Sequence, residues 1–161
     1  FDVAPGFDGA ELVYRTGGHA FESDYYHRLL QPPGSQIAQQ TRQWLSRAGL
    51  FDAVVNPGSE VPPTHVLEGN ITKLYADFRE EAPPSAVMEM SLYLVTPEER
   101  APTVAFHREY RAASQLATES AAAVAEAHSR CLAEILRKLE ADLRALAASE
   151  TKRAGTAGGA S

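Results

Sequence analysis

Hydrophobic and polar positions along the chain predict two amphipathic helices. Between residues 35–48, apolar side chains recur at spacings of three and four, and Gly49 follows as a helix stop. Ser35 is the expected N-cap of this helix because its hydroxyl can accept a hydrogen bond from a free backbone amide. A longer apolar stripe with charged residues on the other faces predicts a second helix over residues 119–148.

Alternating apolar and polar positions predict strands in much of the remaining chain. The predicted strands cover residues 10–16, 51–56, 64–79, 86–95 and 103–114. The apolar parity of the third strand flips near Thr72 and Lys73, which predicts a β-bulge. Links of hairpin length join the last three strands, so we expect an antiparallel meander. The fold class is therefore α+β: an antiparallel β-sheet with two α-helices packed on one face.

Composition indicates a single globular domain. The chain has 161 residues, of which 44% are hydrophobic and 22% are charged. We expect the domain to cover residues 1–148, and the Gly-, Ala- and Ser-rich residues 149–161 to form a disordered tail. No apolar run approaches the ~20 residues that span a bilayer. A net charge of −6 argues against a nucleic-acid partner, since phosphate binding requires clustered Lys and Arg.

Two features bear on processing and redox chemistry. The chain begins with Phe1 rather than Met, as expected of a processed or trimmed chain. Cys131 is the only cysteine, which excludes an internal disulfide. Because it lies within the apolar stripe of the second helix, we expect it to behave as a small hydrophobic residue.

Four potential metal ligands crowd into one short segment: His19, Glu22, Asp24 and His27. They share neither a strand face nor a consistent helical period, and the His-Glu-x-x-His order of zinc proteases is absent. We therefore favour a polar surface loop over a metal site.

Two further pairs could support catalysis. His107 and Glu109 share a strand face and could act as a general base, although a cross-strand charge pair is the favoured interpretation. His128 and Cys131 resemble half of a Cys-His nucleophile site, but a thiol buried in an apolar stripe is inert. Glycine-rich phosphate loops and Gly-x-Ser-x-Gly elbows are also missing. We expect no catalytic, cofactor-binding or metal-binding residues.

One segment has the composition of a protein contact surface. Between Asp24 and Pro33 the chain combines two tyrosines, an arginine, two leucines and two prolines. We call the following residues the docking segment and predict that they contact a partner: Tyr25, Tyr26, Arg28, Leu29, Leu30, Pro32 and Pro33. The alternative is that Tyr26 and the two leucines only cover the open end of the sheet.

A set of short motifs extends over about residues 1–148. They are Phe7-Asp8-Gly9, Leu12-Val13-Tyr14-Arg15, Asp24-Tyr25-Tyr26 with Pro32-Pro33, Trp44-Leu45 with Ala48-Gly49-Leu50-Phe51, Leu67-Glu68-Gly69-Asn70-Ile71, and Leu74-Tyr75-Ala76-Asp77-Phe78. In this order and spacing, the chain resembles the ABC-type transport auxiliary lipoproteins of Gram-negative bacteria. That family includes the lipoprotein partners of MCE-type and paraquat-inducible intermembrane lipid transport systems.

The resemblance implies a non-enzymatic periplasmic lipoprotein with a small α+β sandwich fold. Its implied role is to scaffold or dock a lipid-transport complex, with an MCE-domain protein and an ABC permease and ATPase as partners. Family members are tethered through an acylated N-terminal cysteine, and the outer membrane is the expected location. No cysteine precedes Phe1, so the anchor is inferred from the resemblance. An exposed sheet edge would also allow a homo-oligomer.

The competing hypothesis is a periplasmic carrier that holds a lipid or another apolar small ligand between the sheet and the helices. Such a carrier needs an apolar cavity of several hundred Å³. We expect the interior to be filled instead by large side chains, among them Trp44, Met88, Met90, Leu92, Phe106 and Leu139.

Overall fold

A computed structural model describes the backbone of residues 1–157 and the side chains of residues 1–24 and 26–152. Its elements, in chain order, are β1 (Asp2–Val3), β2 (Glu11–Arg15), β3 (Phe21–Arg28), α1 (Pro33–Ala48), β4 (Val66–Asp77), β5 (Ser85–Thr96), β6 (Thr103–Gln115) and α2 (Ala121–Ala157). In the described part of the chain, the strands form one sheet in the order β3-β2-β4-β5-β6, with β1 also paired to β4. The α+β class is confirmed.

The predicted meander forms the centre of this sheet. Strands β4, β5 and β6 pair antiparallel along nearly their whole lengths. The register of β4 against β5 shifts between Ile71 and Lys73, which confirms the predicted bulge. The clean alternation in β5 thus carries directly into its packing, with Met88, Met90 and Leu92 buried on one face.

The first two strands lie end to end along one edge of β4. Asp2 pairs with Asn70 in β1, and Tyr14 pairs with Ala76 in β2, and both pairings are parallel. The sheet is therefore mixed, whereas the sequence predicted antiparallel strands. Parallel strands need a long crossover rather than a hairpin, and here α1 lies within the connection from β2 to β4. A parallel pairing of this kind has no local turn motif from which it could be predicted.

Two segments differ from the strand predictions. Residues 21–28, expected to belong to a polar loop, form β3 because they pair antiparallel with β2. The predicted strand over residues 51–56 is not formed. Phe51 and Val54 instead pack as loop residues against the main core, so that this apolar run is partly buried without strand pairing.

The helix ends also differ from expectation. The first helix begins at Pro33, with Pro32 as N-cap and no side-chain capping bond, so Ser35 lies inside the first turn. Proline suits this position because its missing amide would have no helical partner there. Gly49 adopts a left-handed conformation (φ 64°) and ends the helix as predicted.

The second helix extends well beyond the expected domain boundary at residue 148. It continues to Ala157, where the sequence predicted part of a disordered tail. The hydroxyls of Ser149 and Thr151 donate hydrogen bonds to backbone carbonyls one turn back, and alanine-rich sequence favours helix. Residues 158–161 of the predicted tail lie outside the described residues.

Both helices pack on the same face of the sheet, as predicted. Their main core contains Ile37 and Leu45 of α1 together with Ile135 and Leu139 of α2 and the inner residues of β4 and β5. All six side chains expected to fill the interior lie in or against this cluster: Trp44, Met88, Met90, Leu92, Phe106 and Leu139.

The helices run in the same direction and meet at the C-terminal half of α1. Trp44 Nε1 donates to Glu140 Oε2 (2.8 Å), and one turn later Arg144 Nη2 donates to the Ala48 carbonyl (2.9 Å). Hydrogen bonds from the neighbouring Arg144 and from Trp44 lower the pKa of Glu140.

The N-terminal residues fit into a slot between α1 and β4. A Cβ atom at Gly69 would lie 2.5 Å from the Phe1 ring, and one at Gly34 would lie 2.9 Å from Val3 Cγ2. Glycine at both positions allows β1 to approach closely, so that Phe1 and Val3 join the edge of the main core.

Candidate docking surface

A three-residue bulge interrupts β3 at the edge of the sheet. Glu11 of β2 pairs with Arg28, but the next residue, Leu12, pairs with Asp24. The residues between those two partners therefore have no counterpart on β2 and project from the strand. Bulges of this kind redirect side chains and prevent a sheet edge from pairing further.

The Asp24 carboxylate holds the bulge together. Its Oδ1 accepts hydrogen bonds from the backbone amides of Tyr26 (2.9 Å) and His27 (3.1 Å). Its Oδ2 accepts from the Tyr14 hydroxyl (2.7 Å) and lies 2.8 Å from His27 Nδ1. One side chain thus connects the bulge backbone to Tyr14 of β2.

The electrostatics of this clamp favour a charged Asp24. Hydrogen bonding from Tyr14 is the largest cause that holds the pKa of the Asp24 carboxyl far below its usual range. Burial and the same hydrogen bond raise the pKa of Tyr14 well above its ordinary value. At neutral pH the pair is therefore a carboxylate and a neutral phenol.

The bulge and the residues just after β3 present two large apolar side chains to solvent. Tyr26 is 94% exposed and Leu30 is fully exposed. Arg28 and Pro32 of the docking segment are also exposed, and the Arg28 guanidinium lies 3.0 Å from the Glu11 carboxylate. Exposed apolar side chains flanked by polar groups are typical of protein contact sites.

Two members of the docking segment turn inward instead. Leu29 packs against a small cluster formed by Leu12, Ala76 and Val124, and Pro33 is buried in the first turn of α1. The alternative role of covering the sheet end therefore fits Leu29 but neither Tyr26 nor Leu30. The side chain of Tyr25 lies outside the described residues.

A pocket of about 100 Å³ lies beside the docking segment and is lined by residues of both helices. Leu29 and Pro33 line one side of it. Apolar residues from both helices and three strands contribute further to its lining: Leu12, Ile37, Leu74, Met88 and Leu132. The volume is well below the ~300–1,000 Å³ of typical small-molecule sites, so this pocket is too small for the carrier hypothesis.

The four potential metal ligands do not assemble into a site. In the described part of the chain, no three His, Cys, Asp or Glu side chains are placed to hold one ion. Asp24 and His27 face each other within the clamp. Glu22 instead accepts a hydrogen bond from the Thr16 hydroxyl (3.0 Å).

The Cys-His pair on α2 has separate partners. His128 Nε2 donates to the Tyr75 carbonyl (3.2 Å), and burial lowers the pKa of this histidine. The Cys131 thiol donates to the Ala86 carbonyl (3.5 Å), and burial raises its pKa to about 11. A neutral buried thiol is not a nucleophile, so this pair is structural.

The second pair lies on β6, on the sheet face away from the helices. The His107 ring stacks on Tyr93 with centroids 4.2 Å apart, and Glu109 pairs in register with Ser91. His107 therefore lies against an aromatic ring rather than beside a carboxylate, which does not match the favoured charge pair.

Sequence reasoning missed the part played by Asp24. It placed this residue among the metal candidates and outside the docking segment. The available signal was local, because an Asp side chain often accepts hydrogen bonds from backbone amides two or three residues later.

A family model now adds to this geometry. The model described as "ABC-type transport auxiliary lipoprotein component" matches residues 2–140. The chain belongs to this family. The resemblance recognised from the sequence is thereby confirmed, and the family is one of transport auxiliary components rather than of enzymes. A comparison with functionally curated proteins found no significant match.

Solved structures share the fold of this family member. A Xanthomonas campestris protein of the DUF330 family model superposes with a TM-score of 0.80 at 16% identity, covering 94% of this chain and 83% of the other. An uncharacterized protein gives 0.66 at 15% identity, covering 88% and 84%. A hypothetical protein of Chlamydia trachomatis gives 0.53 at 14% identity, covering 89% and 96%. At these identities the likeness concerns the fold alone.

Membership implies association with an ABC-type transport system. The description as a lipoprotein component is consistent with a membrane-anchored periplasmic location. Within residues 1–157, neither helix combines the length and apolarity needed to cross a bilayer.

Proposed function

We propose that this auxiliary protein is a non-enzymatic docking subunit of an MCE-type intermembrane lipid transport system, anchored in the outer membrane as a periplasmic lipoprotein. The observation that carries the proposal is the exposure of two apolar side chains: Tyr26, on a bulge whose backbone is fixed by Asp24, and Leu30, just after the end of β3. The expected partners are an MCE-domain protein and the ABC permease and ATPase components.

The rigidity of the bulge supports a docking role. Ordering a loop during association costs free energy, and a surface that is already ordered avoids this cost. Here the bulge amides are bonded before any partner arrives. Tyr26 and Leu30 would form the apolar centre of the contact, with the Arg28–Glu11 ion pair at its polar rim.

The test is binding of Tyr26→Ala and Leu30→Ala variants to the transport components. The full-length lipidated protein is combined with the MCE-domain protein and the permease of its own envelope, and affinities are measured. We expect each variant to bind at least about tenfold more weakly, as hot-spot residues do. Both side chains are exposed, so the thermal stability of the protein should not change.

A matched control uses apolar residues exposed elsewhere. Val61 is 59% exposed and Val104 is 55% exposed, and neither belongs to the docking segment. Val61→Ala and Val104→Ala should bind like the parent protein. Normal binding by the Tyr26 and Leu30 variants would show that the docking surface lies elsewhere.

The carrier hypothesis has its own readout. The protein is purified from its native envelope without added lipid, and extracted material is analysed by mass spectrometry. A docking subunit should release no stoichiometric apolar ligand. One acyl lipid per protein chain would favour the carrier.

A further inference from the structure

The pocket beside the docking segment is lined by residues of both helices. The helices are in contact where Trp44 meets Glu140, whereas the pocket is lined by residues of the N-terminal half of α1. Met88 of β5 contributes to the lining between them, and Leu29 and Pro33 belong both to the pocket and to the docking segment. The pocket therefore borders the docking segment.

The size of the pocket limits its occupant. An apolar cavity of about 150 Å³ holds one benzene-sized group. A volume of about 100 Å³ therefore suits a single branched aliphatic side chain, such as that of leucine. The acyl chain of a membrane lipid is several times larger.

The polar groups at the pocket select against a charged ligand. The lining contains no Lys or Arg that could neutralise a fatty-acid carboxylate or a phosphate. Its one carboxylate, Glu11, is paired with Arg28, and burial lowers the pKa of His128 and thus favours the neutral ring. An uncharged occupant is the best electrostatic match.

Two amides at the pocket are suited to a peptide backbone. Gln36 and Gln40 lie one helical turn apart on α1 and both line the pocket. Neither side-chain amide hydrogen-bonds to another residue in the described part of the protein. Each amide can donate to a carbonyl and accept from an N–H, as bonding to a peptide requires.

We propose that this pocket receives one leucine-type side chain from an uncharged segment of the transport partner, with Gln36 and Gln40 bonding the backbone of that segment. The inference rests on the proposed function, since the segment belongs to the partner that docks at Tyr26 and Leu30. The docking surface would then both insert its own side chains, Tyr26 and Leu30, into the partner and accept one side chain from the partner.

The first experiment measures the pocket without any partner. N-acetyl-leucine N-methylamide is titrated into the protein while methyl NMR signals of Ile37, Met88 and Leu132 are followed. We expect saturable shifts with a Kd of about 1 mM, as befits so small a ligand. N-acetyl-lysine N-methylamide and decanoate should not produce them. No saturation by the leucine probe, or binding of decanoate at these methyl groups, would overturn the proposal.

Two variants with matched controls assign the binding to this pocket. Ala125 lines the pocket and Ala141 is an exposed alanine elsewhere on α2. Ala125→Leu should weaken binding of the leucine probe at least about fivefold, and Ala141→Leu should leave its Kd unchanged. Gln40→Ala should weaken binding of the probe, whereas Gln39→Ala at the neighbouring exposed position should not change it. Equal affinities within either pair would contradict the assignment.

Partner binding then separates this inference from the proposed function. If Tyr26→Ala weakens binding to the transport components but Ala125→Leu does not, the docking function stands and the pocket proposal is overturned. If neither transport component binds the parent protein, the proposed function fails. The leucine probe and its variants would then still report on the pocket itself.

Discussion

At the residue scale, the conformation of the docking surface depends on one carboxylate. Asp24 accepts hydrogen bonds from two backbone amides and from the Tyr14 hydroxyl. The three-residue insertion in β3 would otherwise leave amides of Tyr26 and His27 without a partner in the sheet. By bonding these amides, Asp24 gives the irregular edge of the sheet a defined conformation.

The clamp should make stability depend on pH in one direction. Because the folded pKa of Asp24 is lowered, its charge stabilises the protein above the unfolded pKa of about 3.9, and this contribution is lost as pH falls through the folded value. Asp24→Asn should therefore lower the free energy of unfolding at about pH 7, and the difference from the parent should shrink in strong acid.

Urea unfolding from about pH 7 to about pH 2 measures this difference. Asp52→Asn is the control because Asp52 is an exposed loop residue outside the clamp. A difference between parent and Asp24→Asn that stays constant into strong acid would contradict the assigned charge.

At the element scale, the position of β1 depends on two glycines, Gly34 and Gly69, which leave space for Val3 and Phe1. The Phe1 ring occupies the space that a Cβ at Gly69 would need. β1 itself contains only Asp2 and Val3, so its pairing provides few hydrogen bonds. Its position therefore relies on the fit of Phe1 and Val3 against glycine.

Gly69→Ala should displace the Phe1 ring and destabilise the protein by about 1–3 kcal/mol, as overpacking does. Phe1→Ala in the same chain should relieve the clash. The double variant should therefore lose less free energy of unfolding than the sum of the losses in the two single variants. Chemical denaturation measures all three variants. Gly18→Ala, where a Cβ would meet nothing within 4 Å, is the neutral control. Additive losses would exclude the proposed contact.

The elements that the sequence predicts well are those whose burial pattern is local. β5 alternates because one face lies under the helices, and α1 ends at the one residue that readily adopts a left-handed turn. β3 has no such pattern, since its sequence Phe21–Arg28 is largely polar and its pairing with β2 fixes its conformation. Residues 51–56 show the reverse, because an apolar run packs on the core without becoming a strand.

The same distinction applies to the candidate surface at the scale of the whole molecule. Composition identified the segment from Tyr25 to Pro33, but the sequence could not show that Leu29 turns inward while Leu30 is exposed. That division depends on the bulge and on the position of α1. The neighbouring pocket brings together β2, both helices and β5, which are distant in the chain, so no local pattern could indicate it.

The placement of β1 and β2 along one edge of β4 also has a consequence for the order of folding. The meander forms from neighbouring segments, whereas Asp2 must find Asn70 and Tyr14 must find Ala76 across a large part of the chain. Contacts between distant segments carry the larger loop-closure entropy, so we expect residues 1–28 to join a meander that already exists.

Pulse-labelled hydrogen exchange during refolding can detect this order. Amides of β5 should become protected before those of β2 and β3, and simultaneous protection would contradict it. Although residues 1–28 are synthesised before the meander, the surface around Tyr26 would then form after it. A partner that binds this surface would therefore bind only chains in which residues 1–28 have already joined the meander.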